Sequence, residues 1–190
     1  MKILAVQNRK GIGDTVIFLT FIKAISDKYS TPVDILVREN SKAEQFLMDT
    51  KYINNIHILA RNDLSNGKHD GLFGALKLIK YLKSKSFDKI FIFNSSLRFN
   101  LIARFSGIKE IFQYPLFNKK KQHITGTAKL FLENTLNIKS FSDPNIEINK
   151  IDTELAKTKF NINKDDLNIL MGIGGSGPTK RIPAKIFIKF

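Results

Sequence analysis

The sequence predicts an α/β protein: a Rossmann-like parallel sheet with helices on both faces, followed by the start of a second domain of the same kind. Three observations predict it. Short apolar runs rich in β-branched and aromatic residues recur along the chain, as in strands buried on both faces. Longer segments with helical spacing separate them, which is the order of a parallel sheet with crossover helices. From Asn137 to Asn149 the texture changes to the polar "NIKSFSDPNIEIN", the kind of segment that joins domains, and a strand-turn-helix pattern then begins again.

The elements follow in order. "KILAV" (2–6) reads as the first strand, and the segment from Asp14 to Tyr29 as a helix whose apolar face carries Val16, Leu19, Ile22, Ala24 and Ile25. "PVDILV" (32–37) is a second strand, and 41–50 a helix with Ser41 as its N-cap. "NIHIL" (55–59) is a third strand, 61–71 a polar loop, and 72–85 an amphipathic helix. "DKIFIFN" (88–94) is a buried strand, and the helix 97–107 ends on Gly107, a good C-cap. "KEIFQYP" (109–115) is a short strand and 125–136 a helix. A helix at 151–160, a strand at 167–173, a glycine-rich turn and a helix with Pro183 at its first position complete the chain. The domain layout expected from this is 1–140, a connecting segment and helix at 141–165, and the beginning of an incomplete second domain at 166–190, so that the chain reads as a truncated two-domain protein.

Composition narrows the function. The 190 residues, 43% hydrophobic and 11% aromatic, suit one well-buried domain plus part of another. No apolar run reaches the roughly 18–20 residues needed to cross a bilayer, and the N-terminus has too short an apolar core for a secretory signal, so a cytoplasmic protein is expected. With no cysteine, disulfides, thiolate metal sites and cysteine nucleophiles are excluded. His57, His69 and His123 lie far apart without metal-ligand spacing, and no metal site is expected. A formal charge of +14, from 31 Lys and Arg against 17 Asp and Glu, points to an anionic partner: nucleic acid, acidic lipid or a phosphorylated ligand. The lysines are mostly scattered, and the densest run, "NKKKQH" at 118–123, lacks interleaved aromatics, which argues less for nucleic acid.

Two glycine-containing turns carry the candidate chemistry. "GIGGSG" (172–177) satisfies the dinucleotide pattern literally, but Pro178 and Pro183 interrupt it, and the chain ends before an acidic ribose ligand about 20 residues on could appear. A more general property remains: glycine amides ahead of a helix, beside Ser176, Thr179, Lys180 and Arg181, suit a phosphate or diphosphate. A solvated Lys-Arg pair on an ordinary turn explains the same residues. In "RKGIGDTV" (9–16), Gly11 and Gly13 permit a tight turn and Asp14 follows directly. Aspartate is a preferred N-cap, and the loop after a parallel strand is also where open α/β sheets bind ligands, so Asp14 has a structural and a chemical reading. Ser95 and Ser96 stand at an equivalent strand end, with no histidine placed to activate them, and read as helix caps.

Three segments, "MKILAVQNRKGIGDTVIFLTFIKAISDKY", "KKKQHITGTAKLFLENTLNI" and "GIGGSGPTKRIP", resemble in this order the lipopolysaccharide heptosyltransferase family, glycosyltransferase family 9. The resemblance implies a GT-B architecture, of which this chain looks like the acceptor-side domain and the opening of the donor domain. It implies an inverting, metal-independent transfer of a heptose-like sugar from a nucleoside-diphosphate sugar, of the ADP-heptose type, to an anionic glycolipid acceptor in lipopolysaccharide biosynthesis, with peripheral contact at the inner face of the cytoplasmic membrane, no cofactor and no nucleic acid. Asp14 matches the family's catalytic base, in a loop shaped by Gly11 and Gly13. Gly175, Ser176, Thr179 and Lys180 match the turn that holds the donor's diphosphate. Ile182 departs from the pattern, where the family often has an aromatic. The competing reading, from the residues alone, is a non-catalytic basic α/β module that binds nucleic acid or acidic lipid.

Overall fold

The computed structural model describes residues 1–61, 67–116, 123–170 and 183–188. These form two units, Met1–Ile148 and Asn149–Phe190. In the first, five strands, β1 (Ile3–Gln7), β2 (Val33–Arg38), β3 (Ile53–Leu59), β4 (Lys89–Ile92) and β5 (Glu110–Gln113), make one sheet in the order β3-β2-β1-β4-β5. Every neighbouring pair is parallel, with Ala5 of β1 in register with Ile35 on one side and Phe91 on the other. The helices are α1 (Ile12–Tyr29), α2 (Gly71–Lys85), α3 (Leu97–Phe105) and α4 (Ile124–Leu136).

Alternation along the strands builds two cores. Ile3, Ala5, Val33, Ile35, Phe91 and Phe93 point to one face and pack with α1 and α4. Leu4, Val6, Leu36, Ile90 and Ile92 point to the other and pack with α2 and α3. This is the expected Rossmann-like layering. Beyond α4 the segment 137–148 packs against the α1 core: Phe141 meets Phe21 edge-on at 5.5 Å, and the Tyr52 hydroxyl donates to the Asn145 carbonyl at 3.0 Å. Burial, with Glu147 nearby, pushes the Tyr52 hydroxyl up to about 12.

Several boundaries differ from expectation. The helix expected over 41–50 is two short 3₁₀ turns, Glu39–Ser41 and Ala43–Gln45, because Lys42 between them is left-handed (φ 55°). Ser41, expected as the N-cap, is instead the last residue of the first turn; its Oγ accepts the Ala43 N–H at 3.3 Å, while the N-cap of the second turn is Lys42. Gly107 (φ 78°) ends α3: its own N–H and that of Ile108 donate to the Arg104 and Ala103 carbonyls.

In the second unit, α5 (Lys150–Phe160) is capped by Asn149, whose Oδ1 accepts the Asp152 N–H at 2.7 Å. Residues 167–170 of the expected strand pair with no strand among the described residues, and Leu167, Ile169 and Leu170 are exposed; 171–173 lie outside the described residues. An isolated strand has no ladder partner to hold it. Pro183 stands at the N-cap of α6 (Ala184–Phe187), one position before the expected place.

A buried polar knot ties edge strand β3 to β2 and α2. Asp34 receives His57 Nε2 at 2.8 Å and the side-chain amide of Asn54 at 2.7 Å, with Asn55 at 3.2 Å, while His57 Nδ1 meets the Tyr81 hydroxyl at 2.7 Å. Burial by itself pushes the Asp34 carboxyl up; the hydrogen bonds from His57, Asn54 and Asn55, with the His57 charge, outweigh it and hold the group below its ordinary 3.8. A depressed carboxyl stabilises the fold above its unfolded pKa, and that stability is lost as pH falls through the folded pKa. Acid unfolding between pH 7 and 2 should therefore show a steep loss below about pH 4, and Asp34→Asn should flatten that part of the curve. An unchanged slope in the variant would remove Asp34 from the account.

Candidate active site

The strand order reverses between β1 and β4, since β1 leads outward to β2 and β4 leads outward to β5. Loops leaving the carboxyl ends of these two strands part there, and that is where open α/β sheets form a ligand crevice. Asn8–Gly11 leads from β1 into α1, and Phe93–Ser96 leads from β4 into α3.

The first loop is held by its neighbour after β2. Arg38 Nε donates to the Asn8 carbonyl at 3.1 Å, and the Gly11 N–H reaches Asn40 Oδ1 at 3.4 Å. Gly11 is the N-cap of α1 with φ 95° and ψ 160°, a backbone state that side chains rarely adopt, so glycine is required here. Gly13 has no such constraint; a Cβ on it would meet nothing within 4 Å, so its hydrogen leaves the backbone open to approach.

Asp14 is the third residue of α1, so the expectation that the helix begins at Asp14 is corrected by two residues. The cap is Gly11, and Thr15 Oγ1 donates back to the Gly11 carbonyl at 3.1 Å. The Asp14 carboxylate receives no helix N–H among the described residues. Its one polar partner there is Arg9, whose Nε lies 3.4 Å from Oδ2, and the carboxylate is 28% exposed. Its charge in the first turn of an 18-residue helix is favoured by the helix dipole. The arrangement leaves an anchored, solvent-reachable carboxylate at the switch point.

Arg9 also lines a cavity of about 150 Å³ with Phe18, Phe93, Tyr114, Ile124 and Thr127. The Tyr114 hydroxyl is pushed well up by burial, against the opposing pull of Arg9, and has no hydrogen-bond partner among the described residues. Nor do the Gln7 side-chain amide, Asn94 Nδ2 or Glu39 Oε2. Among the described residues five have such buried orphan atoms, and four of them stand at the carboxyl ends of β1, β2, β4 and β5; the fifth is Thr50. Buried polar atoms without partners are uncommon, and four of these residues gather at the carboxyl end of the sheet. Sequence reasoning missed Gln7, Glu39, Asn94 and Tyr114. Gln7 and Asn94 each close an apolar run, and Glu39 and Tyr114 stand one residue further on, but nothing in that placement tells which side chains stay unpaired.

Ser96 occupies the N-cap position of α3 without a side-chain cap bond, and its N–H donates to Asn94 Oδ1 at 2.9 Å. Ser95 lines a groove of about 480 Å³ between β5 and α4. Gly175, Ser176, Thr179 and Lys180 lie outside the described residues.

No family model matches the chain, and no curated protein does. Among solved structures, it is similar to a glycosyl transferase family 9 protein from Veillonella parvula, with a TM-score of 0.76 over 99% of this chain at 17% identity. It is also similar to ADP-heptose LPS heptosyltransferase II of E. coli, with a TM-score of 0.59 over 87% of this chain at 14% identity. The chain has their fold. It spans 58% of the first protein and 52% of the second. In this chain Arg9 and Asp14 stand after β1, beside the point where the strand order reverses between β1 and β4.

Proposed function

We propose that this protein is an inverting glycosyltransferase that moves a heptose-like sugar from a nucleoside-diphosphate sugar, of the ADP-heptose type, to a hydroxyl of an anionic lipopolysaccharide-core acceptor. The observation that carries the reading is the Asp14 carboxylate: at the switch point, reachable by solvent, tethered by Arg9 and not used as a cap. The residues 1–148 take the acceptor, and the turn containing Gly175, Ser176, Thr179 and Lys180 holds the donor's diphosphate.

In this mechanism Asp14 accepts the proton of the acceptor hydroxyl as its oxygen attacks the anomeric carbon. The bond from that carbon to the diphosphate oxygen breaks, and the electron pair leaves with the nucleoside diphosphate. One displacement inverts the anomeric centre. Lys180 balances the charge that develops on the leaving group, a role that a divalent ion fills in other transferases. The acceptor is borne on lipid, which brings the protein to the cytoplasmic membrane surface; no helix among the described residues is long and apolar enough to cross it.

The test is made on the protein expressed from its complete gene. Incubated with ADP-heptose and a lipopolysaccharide-core acceptor in the presence of a chelator, it should release ADP and form a product whose anomeric configuration, read by NMR, is opposite to the donor's. Retention of configuration, or activity abolished by the chelator, would overturn the mechanism.

A further inference from the structure

We infer that the outer face of α2 and α3 is the surface by which this protein docks on an anionic lipid bilayer. Six large apolar side chains stand in solvent there: Leu72, Phe73 and Leu76 on α2, and Leu97, Leu101 and Phe105 on α3, their exposures running from 43% to 79%. They are not strays from the core. Each helix already buries another face, Ala75, Leu78 and Leu82 from α2 and Phe99, Ile102 and Ala103 from α3.

The six share one surface. Leu97, Leu101 and Phe105 follow each other at helical spacing, as do Leu72 and Leu76. The two helices lie side by side: Arg98 of α3 donates to the carbonyls of Gly71 and His69 at 2.7 Å each, and Ser106 Oγ donates to the Ile79 carbonyl of α2 at 3.3 Å.

Charge decides what covers this face. The helices α2 and α3 carry Lys77, Lys80, Lys83, Lys85, Arg98 and Arg104 and no aspartate or glutamate. Apolar side chains that enter the headgroup region, flanked by cations that meet acidic headgroups, are the pattern of an interfacial surface. Four of the six apolar residues are leucines, which offer no flat ring for base stacking, so lipid fits better than nucleic acid.

The position fits as well. The first turns of α2 and α3 rise from the carboxyl ends of β3 and β4, and Leu97 follows Ser95 and Ser96 at the crevice. The apolar surface therefore begins at the rim of the site, where a lipid-borne acceptor would enter. The inference deepens the proposed function and rests on it for the choice of acceptor, but docking is read without turnover.

The complete protein is sedimented with vesicles of equal parts phosphatidylglycerol and phosphatidylcholine, and with vesicles of phosphatidylcholine alone. Binding to the first, weakened by salt, and little to the second is expected. Leu72→Ser with Phe73→Ser and Leu101→Ser should weaken binding by about tenfold or more. Lys77→Glu with Lys80→Glu should weaken it similarly and reduce its salt dependence. Vesicle binding unaltered by both sets overturns the inference, as does a dimer in sedimentation velocity that the leucine and phenylalanine substitutions break while vesicle binding persists. Tighter binding to duplex DNA than to anionic vesicles, lost in the Lys→Glu variant, overturns it too. Face-dependent vesicle binding without any sugar transfer would leave the docking surface standing and remove the proposed function.

Discussion

An Asp14→Asn substitution is expected to lower sugar transfer by about a hundredfold or more, the usual worth of a general base, while the donor binds as before. Asparagine has nearly the same shape and cannot take the acceptor's proton. The usual confusion with helix capping is absent, because Gly11 caps α1 and Asp14 makes no cap bond among the described residues. A thermal melt close to wild type should accompany the lost turnover. Initial rates at saturating acceptor, together with donor affinity by calorimetry, separate the two effects. Turnover within a few-fold of wild type would remove Asp14 as the base. Unchanged turnover per bound donor with weakened donor affinity would recast it as a binding residue.

The largest stability effect is expected at Phe91. Its ring is fully buried on the interior strand β4, stacked on Phe112 at 4.7 Å and meeting Tyr29 at 6.2 Å and Phe131 at 6.5 Å. Phe91→Ala removes that ring where β4, β5, α1 and α4 converge, and should cost about 3–5 kcal/mol in equilibrium urea unfolding. For a domain of ordinary marginal stability this is a large part of the total. Phe105→Ser removes a ring of the same size that stands 67% exposed, and should change stability by less than about 0.5 kcal/mol. Equal losses at the two positions would mean that the α3 face is covered in solution.

How much of this was legible in the sequence depends on which force shapes each part. The five strands of the sheet were, because a parallel strand buried on both faces must be apolar at successive positions, as Ile90, Phe91, Ile92 and Phe93 are; the strand expected at 167–173 was not found over 167–170. The segment 41–50 was not. Its composition allows a helix, but a ten-residue helix has little stability of its own, and the left-handed Lys42 breaks it. At the site, the location of Asp14 was legible and its orientation was not. Cap and first-turn positions accept the same residue type, and only the backbone angles of Gly11 separate them. Gln7 and Tyr114 were hidden for another reason: their significance lies in the hydrogen bonds they do not make, which appear only once the neighbours are placed.

The segment 137–148 bears on how the protein can be cut for experiment. It follows the last sheet-packing helix, so it looks dispensable in a linear map, yet it carries the ring that closes over Phe21 and the carbonyl that receives the Tyr52 hydroxyl. A shortened version ending at Leu136 would uncover apolar surface and leave that buried phenol without its acceptor. Fragments meant for crystallisation, labelling or acceptor titration should therefore keep the chain at least through Ile148.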